Sequence, residues 1–249
     1  MVHTVVVDDG SSPGNETMQQ LLLLQSGKLT VKENGQNRGV GYSLNTGINW
    51  LLENYRSKWI LLLDQDTTVE EKELVKMVKK LNSIDVKTTG MVHFSNNPAP
   101  YELREEFKEV DKIMIDGSLV NADVLQNVKF REEFVVDQID YDFCHEIRRL
   151  GYSILVYLGA SMNKSIGKQD KINSYEPLFR MYYISRNSTI LLLEGKLGFT
   201  AYADQLIRWS SRYLRANGSL SFVAPVISGI KDAVLRNMRY IPPTDSWSP

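Results

Sequence analysis

The chain has 249 residues, 43% of them hydrophobic and 24% charged, with a formal net charge of −1. That length suits one large domain with a proper core, and the near-neutral balance excludes a protein whose whole surface is built to neutralise nucleic-acid phosphates. Cys144 is the only cysteine, so no intrachain disulfide can form and a reducing, cytoplasmic setting is expected, with the thiol read as a small buried apolar group.

At the N-terminus, "MVHTVVVDDG" has too short an apolar region before its acids for a secretory signal. No run approaches the ~20 apolar residues needed to cross a bilayer. "HTVVVDD" predicts a buried strand ending in acids, "GSSPGN" a tight turn, and "ETMQQLLLLQSG" a short helix closed by Gly27. "LTVKENG" predicts a second strand, and "QNRGVGYSLNTGINWLLENY" a glycine-rich loop running into a helix. "KWILLLDQD" is a third strand with acids at its carboxyl end. "TVEEKELVKMVKKLNS" is an amphipathic helix with early acids and late lysines, as the helix dipole favours. Short strands around "TTGMVHF" and "DKIMIDGSLVN" flank a polar insertion, "NNPAPYELREEF", read as a substrate cover. In "EFVVDQIDYDFCHEIRRLGYSILVY" a carboxylate cluster enters a helix, then comes a glycine turn and a strand. Helices follow from residue 174, with basic and apolar residues interleaved from Lys196 onward. The alternation predicts an α/β fold, a mostly parallel sheet flanked by helices, with a helical C-terminal extension. The expected division is a catalytic domain over residues 1–195, its nucleotide part about 1–84 and acceptor part about 85–195, with the extension over 196–249.

In open α/β sheets, ligands bind beyond the carboxyl ends of the strands, so the acids of "VVVDDG" and "LLLDQD" are expected to line one crevice. Asp64 and Asp66 form a D-x-D pair. Either they share a Mg or Mn ion whose other positions go to water and phosphate oxygens, or they are turn acids, with Asp66 capping the next helix. Asp8 or Asp9 suits a nucleobase imide or ribose hydroxyl, or simply an ordinary strand-to-turn transition. In "NRGVGYSLNTGI", Gly39 and Gly41 allow close backbone approach, Arg38 offers a cation, and Asn37 and Asn45 offer amides. No Walker lysine follows, and the dinucleotide fingerprint fails at its third glycine. In "DQIDYDF", Asp137, Asp140 and Asp142 crowd the start of a helix. One of them in a cleft would serve as general base toward a hydroxyl; the alternative is pairing with Arg148 or Arg149. His3 and His93 lack metal-ligand spacing, and His145 is read as packed or solvent-facing.

The order of these blocks resembles the inverting family-two glycosyltransferases of the GT-A fold, and within them the bacterial rhamnosyltransferases. "NRGVGYSLNTGI" resembles N-x-G-x-(G/A)-x-x-x-N-x-G-I, and "FVVDQIDYDFCHEIRRLGY" resembles F-I-D-x-V-D-x-(E/D)-(W/F)-C-x-x-(R/x)-x-x-x-G-Y. "LFRMYYISRNSTIL" is similar to the R-x-Y-Y-x-x-R-N segment, and "SGIKDAVLRNM" to the closing G-I-K-D-(G/A).

The resemblance implies that Asp8 and Asp9 hold the donor nucleoside, with Asn37, Arg38, Gly39 and Asn45 around it. Asp64 and Asp66 would meet a Mg or Mn ion and the diphosphate, and Arg186 the pyrophosphate, unless Arg186 and Asn187 hold their helix in place. Asp140 would be the general base, with Asp137 or Asp142 in reserve. Asp116, Gly117 and Ser118 would lie beside the sugar and acceptor. Lys164 aligns where relatives often carry a metal-ligating His, and its ammonium would neutralise the diphosphate. The usual first strand of the fold is expected to be missing. The implied reaction moves a sugar, L-rhamnose from a dTDP donor, to a hydroxyl of a cell-surface polysaccharide or lipid-linked precursor. The alternatives are a UDP-hexose-dependent enzyme or a non-catalytic sugar-nucleotide or polysaccharide-binding subunit. The expected partners are the donor and the glycan acceptor, with no nucleic acid. Peripheral contact of the extension with the inner membrane face, and homodimerisation, complete the expectations.

Overall fold

The computed structural model describes residues 3–11, 16–24, 26–95, 106–164 and 177–241. Most of the "GSSPGN" turn and of the insertion read as a substrate cover lie outside the described residues. The elements run β1 (Thr4–Asp8), α1 (Glu16–Leu23), β2 (Leu29–Glu33), α2 (Val40–Asn54), β3 (Trp59–Leu62), β4 (Thr67–Thr68) and α3 (Glu71–Leu81). They continue with β5 (Thr89–Ser95), β6 (Phe107–Glu109), β7 (Ser118–Asn121), α4 (Ala122–Asn127), α5 (Ile139–Arg149), β8 (Ser153–Ser161) and β9 (Asn163–Lys164). Last come α6 (Leu178–Leu193), α7 (Phe199–Asn217) and α8 (Val223–Val234). They belong to two compact units: Met1–Asn54, Phe130–Ile139 and Asn173–Pro249 make the first, Tyr55–Lys129 and Asp140–Ile172 the second.

In the first unit, β1 pairs in parallel with β2, Thr4 opposite Leu29 and Asp8 opposite Glu33. Parallel neighbours need a crossover, which α1 supplies. The helix stops at Leu23, and Gly27 does not close it: Gly27 sits in the turn that bridges Ser26 to Leu29 and opens β2. The centre of this unit is α6, whose residues from Met181 to Leu191 are all buried. A helix buried on every side must be covered all round, and both α7 and α8 pack on it. Tyr182 of α6 donates its hydroxyl proton to Asp232 of α8 at 2.8 Å, satisfying a phenol that burial would otherwise strand.

The second unit holds a five-stranded mixed sheet in the order β3-β7-β5-β8-β6. β3, β5 and β8 run in one direction, while β7 and β6 run against them. The sheet expected from the sequence is therefore present, with two opposed strands among three that share a direction. Every residue of β5 is buried. Val92 and Phe94 on this strand join Leu119, Tyr157 and the α3 residues Met77 and Leu81 in one apolar cluster. The start of α3 lies at Glu71 rather than near Thr68, because Thr67 and Thr68 are drawn into β4 by antiparallel pairing with Lys164 and Asn163 of β9. Among the described residues, no helix is long and apolar enough to cross a membrane.

Candidate active site

The second unit gathers its acids around one turn. β3 ends at Leu62, and one residue on, past Leu63, the apolar run stops at Asp64. Directly across, the turn Ile115–Ser118 leads into β7, and its Gly117, at a φ of 74°, donates its N–H to the Leu62 carbonyl at 2.9 Å. That turn sets Asp116 against the end of β3. Oδ1 of Asp116 accepts the Asp64 N–H at 2.9 Å, and Oδ2 accepts the Thr67 hydroxyl at 2.6 Å. The same Oδ2 also takes the Lys164 ammonium at 2.8 Å. Oxygens of Asp64, Asp66 and Asp116 all lie within 4.8 Å of one another.

Lys164 stands in the middle of these carboxylates, with Nζ also 3.3 Å from Asp64 and 3.9 Å from Asp66. Burial alone would raise the Asp116 carboxyl, but hydrogen bonds from Lys164, Thr67 and the Asp64 backbone hold it below the usual carboxylate range. Asp64 has the opposite balance: desolvation and then the Asp116 charge push it up, further than Lys164 pulls it down. Lys164 gives up hydration, which lowers its pKa, yet its contacts with Asp116 and Asp64 leave it raised and charged. Hard carboxylate oxygens at this spacing fit a Mg or Mn ion, and the half-exposed Asp64 and Asp66 are the ones with room to hold it. Asp66 does not cap α3, whose first turn follows Glu70 with no side-chain cap.

Asp140 reaches the same turn from the first turn of α5, where its Oδ1 accepts the Ile115 N–H at 2.9 Å. Asp116 and Asp140 are thus fixed by adjacent residues, although 24 positions separate them in sequence. Asp142, two residues further along α5, is buried, and so is Cys144, whose thiol burial pushes up to about 12. Arg148 pairs with Asp111 and Arg149 with Glu146, so the expected pairing of the α5 arginines with its first acids is not what forms. Ser118 is fully buried with its Oγ 2.9 Å from His93 Nδ1, and it packs β7 on β5.

In the first unit, the strand-end acids organise the loops that follow them. Asp8 accepts the N–H groups of Gly10 and Ser11 and the Ser11 hydroxyl, closing its own turn. Asp9 accepts the Arg38 N–H at 2.9 Å, the Gly39 N–H at 2.8 Å and the Asn34 amide at 2.9 Å. It thereby ties β1 to the start of α2, where a carboxylate is favoured by the helix dipole. Gly39 has a φ of 91° and lies so near Val135 that a Cβ would come within 2.7 Å of backbone. Gly41 approaches the Arg131 carbonyl as closely. The close approach read from these glycines is made to the protein's own chain.

Asn45 is also committed inside the fold. Its amide donates to the Phe130 carbonyl and to Glu132, both at 2.9 Å, and its oxygen accepts the Phe130 N–H. Arg186 is wholly buried, donating to the carbonyls of Arg239 and Glu133 and to Asn187. Its guanidinium holds α6 against these carbonyls. Asp137, at a φ of 60°, is clamped by Arg180 through both oxygens at 3.0 Å, while Asn187 holds its carbonyl. Both oxygens are thus engaged at a strained corner of the chain.

Asn37 and Arg38 remain at the surface and line an open cavity of ≈ 520 Å³ with Tyr42, Glu133, Arg239 and Tyr240. The Arg38 guanidinium lies 3.5 Å above the Tyr42 ring, and the Tyr240 hydroxyl donates to Asn37 at 3.3 Å. Burial and then the Asp9 charge push the Tyr240 phenol up. Two features escape a reading of the residues alone. Asp116 belongs to the D-x-D cluster, for which the Asp-Gly turn is the only local signal, and Tyr240 reaches Asn37 from 203 positions away.

A family model described as "Glycosyl transferase family 2" matches residues 2–149. No curated protein matches the chain. Among solved structures, S. aureus TarS 1-349 is 15% identical with a TM-score of 0.52, over 95% of this chain and 72% of that one. The mannosyltransferase PcManGT of Pyrobaculum calidifontis, in complex with GDP-Man and Mn2+, is 17% identical with a TM-score of 0.56, over 94% and 78%. GalNAc-T7 with UDP, GalNAc and Mn2+ is 12% identical with a TM-score of 0.50, over 95% of this chain and 52% of that one. At such identities the likeness establishes the fold.

Proposed function

The chain belongs to glycosyltransferase family 2, and on that premise we propose that it moves L-rhamnose from a dTDP donor to a hydroxyl of a cell-surface polysaccharide or lipid-linked precursor, with inversion. The observation that carries the reading is the Ile115–Ser118 turn, which brings Asp116 to Asp64 and Asp66 while bonding Asp140. Asp140 accepts the proton of the acceptor hydroxyl as that oxygen attacks the anomeric carbon from the face opposite the diphosphate. The new carbon–oxygen bond forms as the bond to the diphosphate oxygen breaks, which inverts the anomeric centre. Asp64 and Asp66 would hold a divalent cation, which when bound neutralises a departing diphosphate. The cavity around Asn37, Arg38 and Tyr240 is the reading's nucleoside site: amide, cation and aromatic faces suit a base and its ribose. GDP-Man and UDP in the similar structures keep the base and sugar open to test.

The acceptor is proposed to be membrane-bound. Helix α7 exposes Phe199 and Ile207 and carries Arg208, Arg212 and Arg215, the mixture that seats a helix on an anionic lipid surface.

A thermal-shift panel of dTDP, UDP and GDP, each with and without Mn2+, tests the reading. A ligand at 100 times its dissociation constant adds about 2.7 kcal/mol to stability, enough for a clear shift. dTDP or UDP with metal is expected to stabilise, and GDP not. Indifference to all three would favour a subunit that binds no nucleotide-sugar.

A further inference from the structure

We propose that the ammonium of Lys164 is the resident cation of the Asp64–Asp66–Asp116 cluster and competes with a divalent ion for it. The proposal rests on the reading of Asp64 and Asp66 as that ion's ligands. Nζ lies 2.8 Å from Asp116, 3.3 Å from Asp64 and 3.9 Å from Asp66, inside a group of oxygens that span no more than 4.8 Å. A Mg ion binds oxygens at about 2.0–2.1 Å and so needs the same space. Two cations of this kind repel strongly at such separations, and more so where water is partly excluded.

The placement is built into the backbone. Lys164 is the last residue of β9 and pairs across to Thr67 of β4, whose hydroxyl bonds the same Asp116 oxygen that takes Nζ. The side chain is 19% exposed, so its stem is packed and its charged end is directed at the carboxylates. Among the described residues, Lys164 is the cation paired with these three carboxylates. With it, the cluster is held together in the absence of any metal, and an incoming ion must displace Nζ.

Titration of Mn2+ alone, followed by calorimetry, into the wild type, Lys164→Gln and Lys164→Arg tests this. Lys164→Gln, which keeps a hydrogen-bond donor but no charge, is expected to bind Mn2+ at least tenfold more tightly than the wild type. Lys164→Arg is expected to stay within a few-fold of the wild type. Equal affinity in the wild type and Lys164→Gln, loss of binding in Lys164→Gln, or tight binding in Lys164→Arg would overturn the proposal. The unsubstituted protein supplies a second reading that does not depend on how the variants fold. Reductive methylation of Lys164, followed by mass spectrometry, is expected to be slow without metal and several-fold faster at saturating Mn2+; an unchanged rate would contradict displacement. Neither measurement uses a sugar donor, so both are independent of whether transfer of rhamnose is the reaction.

Discussion

Asp116 and Asp66 meet the same ammonium and differ in what their loss would do. Asp116 is nearly inaccessible and satisfies three donors, so Asp116→Ala leaves Thr67 and the Asp64 N–H without their acceptor and takes from Lys164 its nearest carboxylate. Removing one partner of a buried ion pair costs roughly 3–5 kcal/mol, and urea unfolding of Asp116→Ala is expected to show a loss in that range. Asp66 is more open and its nearest cation is 3.9 Å away. Asp66→Ala is therefore expected to keep wild-type stability within about 0.5 kcal/mol while abolishing sugar transfer. Unchanged turnover would remove Asp66 from the site. The sequence made the D-x-D pair legible because two acids at the end of an apolar run are a local signal. It did not reveal Asp116 as their neighbour, since that contact is made by strand pairing across 52 positions. The inward partners of Asn45 and Arg186 were hidden for a related reason. A family motif marks positions without saying whether the side chain faces a ligand or the protein's own carbonyls.

Among the elements, α6 shows most clearly how local sequence and packing combine. Its last residues lead to Glu194, an acid at a helix C-terminus where the dipole disfavours it. Three cations reverse that: Arg131 binds it through two bonds of 3.0 and 2.8 Å, and Arg236 and Lys196 lie within 3.4 Å. The Arg131 hydrogen bonds, against partial burial and with help from the other two, hold the Glu194 carboxyl down to about 2 from 4.5. A carboxyl lowered on folding stabilises the protein above its unfolded pKa and loses that contribution as pH falls through the folded one. Stability should therefore drop by on the order of 2 kcal/mol between pH 4.5 and pH 2 through this group, and Glu194→Gln should remove that part of the slope. Acid titration of the unfolding free energy in both proteins checks this; equal slopes would contradict it. On the facing helix, a Cβ at Gly229 would strike the Ser185 hydroxyl and come within 2.5 Å of the Tyr182 carbonyl. Gly229→Ala is expected to cost about 1–3 kcal/mol and lower the melting temperature by several degrees. The "GIKD" segment was legible as a motif, and its physical content is this close approach together with the Asp232 bond to Tyr182. The start of α3 was misplaced because the pairing of β4 with β9, 95 to 97 positions apart, outweighed local helix propensity.

At the level of the whole molecule, the order of strands and helices along the chain was readable from hydrophobic periodicity, and the α/β class followed from it. Which strand lies beside which was not. The sheet order β3-β7-β5-β8-β6 inserts a late strand between two earlier ones, a consequence of long-range pairing that no window of sequence encodes. The helical extension was equally legible, and its exposed Phe199 and Ile207 beside Arg208, Arg212 and Arg215 bear on where the protein works. Co-sedimentation with vesicles containing anionic lipid is expected, with binding weakened by Ile207→Glu and by raised salt. No sedimentation on anionic vesicles would contradict the seating of α7 on a lipid surface.

The most direct measurement of the central claim is nucleoside diphosphate release from dTDP-L-rhamnose and from UDP-hexoses, comparing the wild type with Asp140→Asn. The wild type should release dTDP from dTDP-L-rhamnose when acceptor is present, and Asp140→Asn should bind the donor equally well yet release at least a hundredfold less. Equal release by the two proteins, or none from any donor by the wild type, would contradict the account.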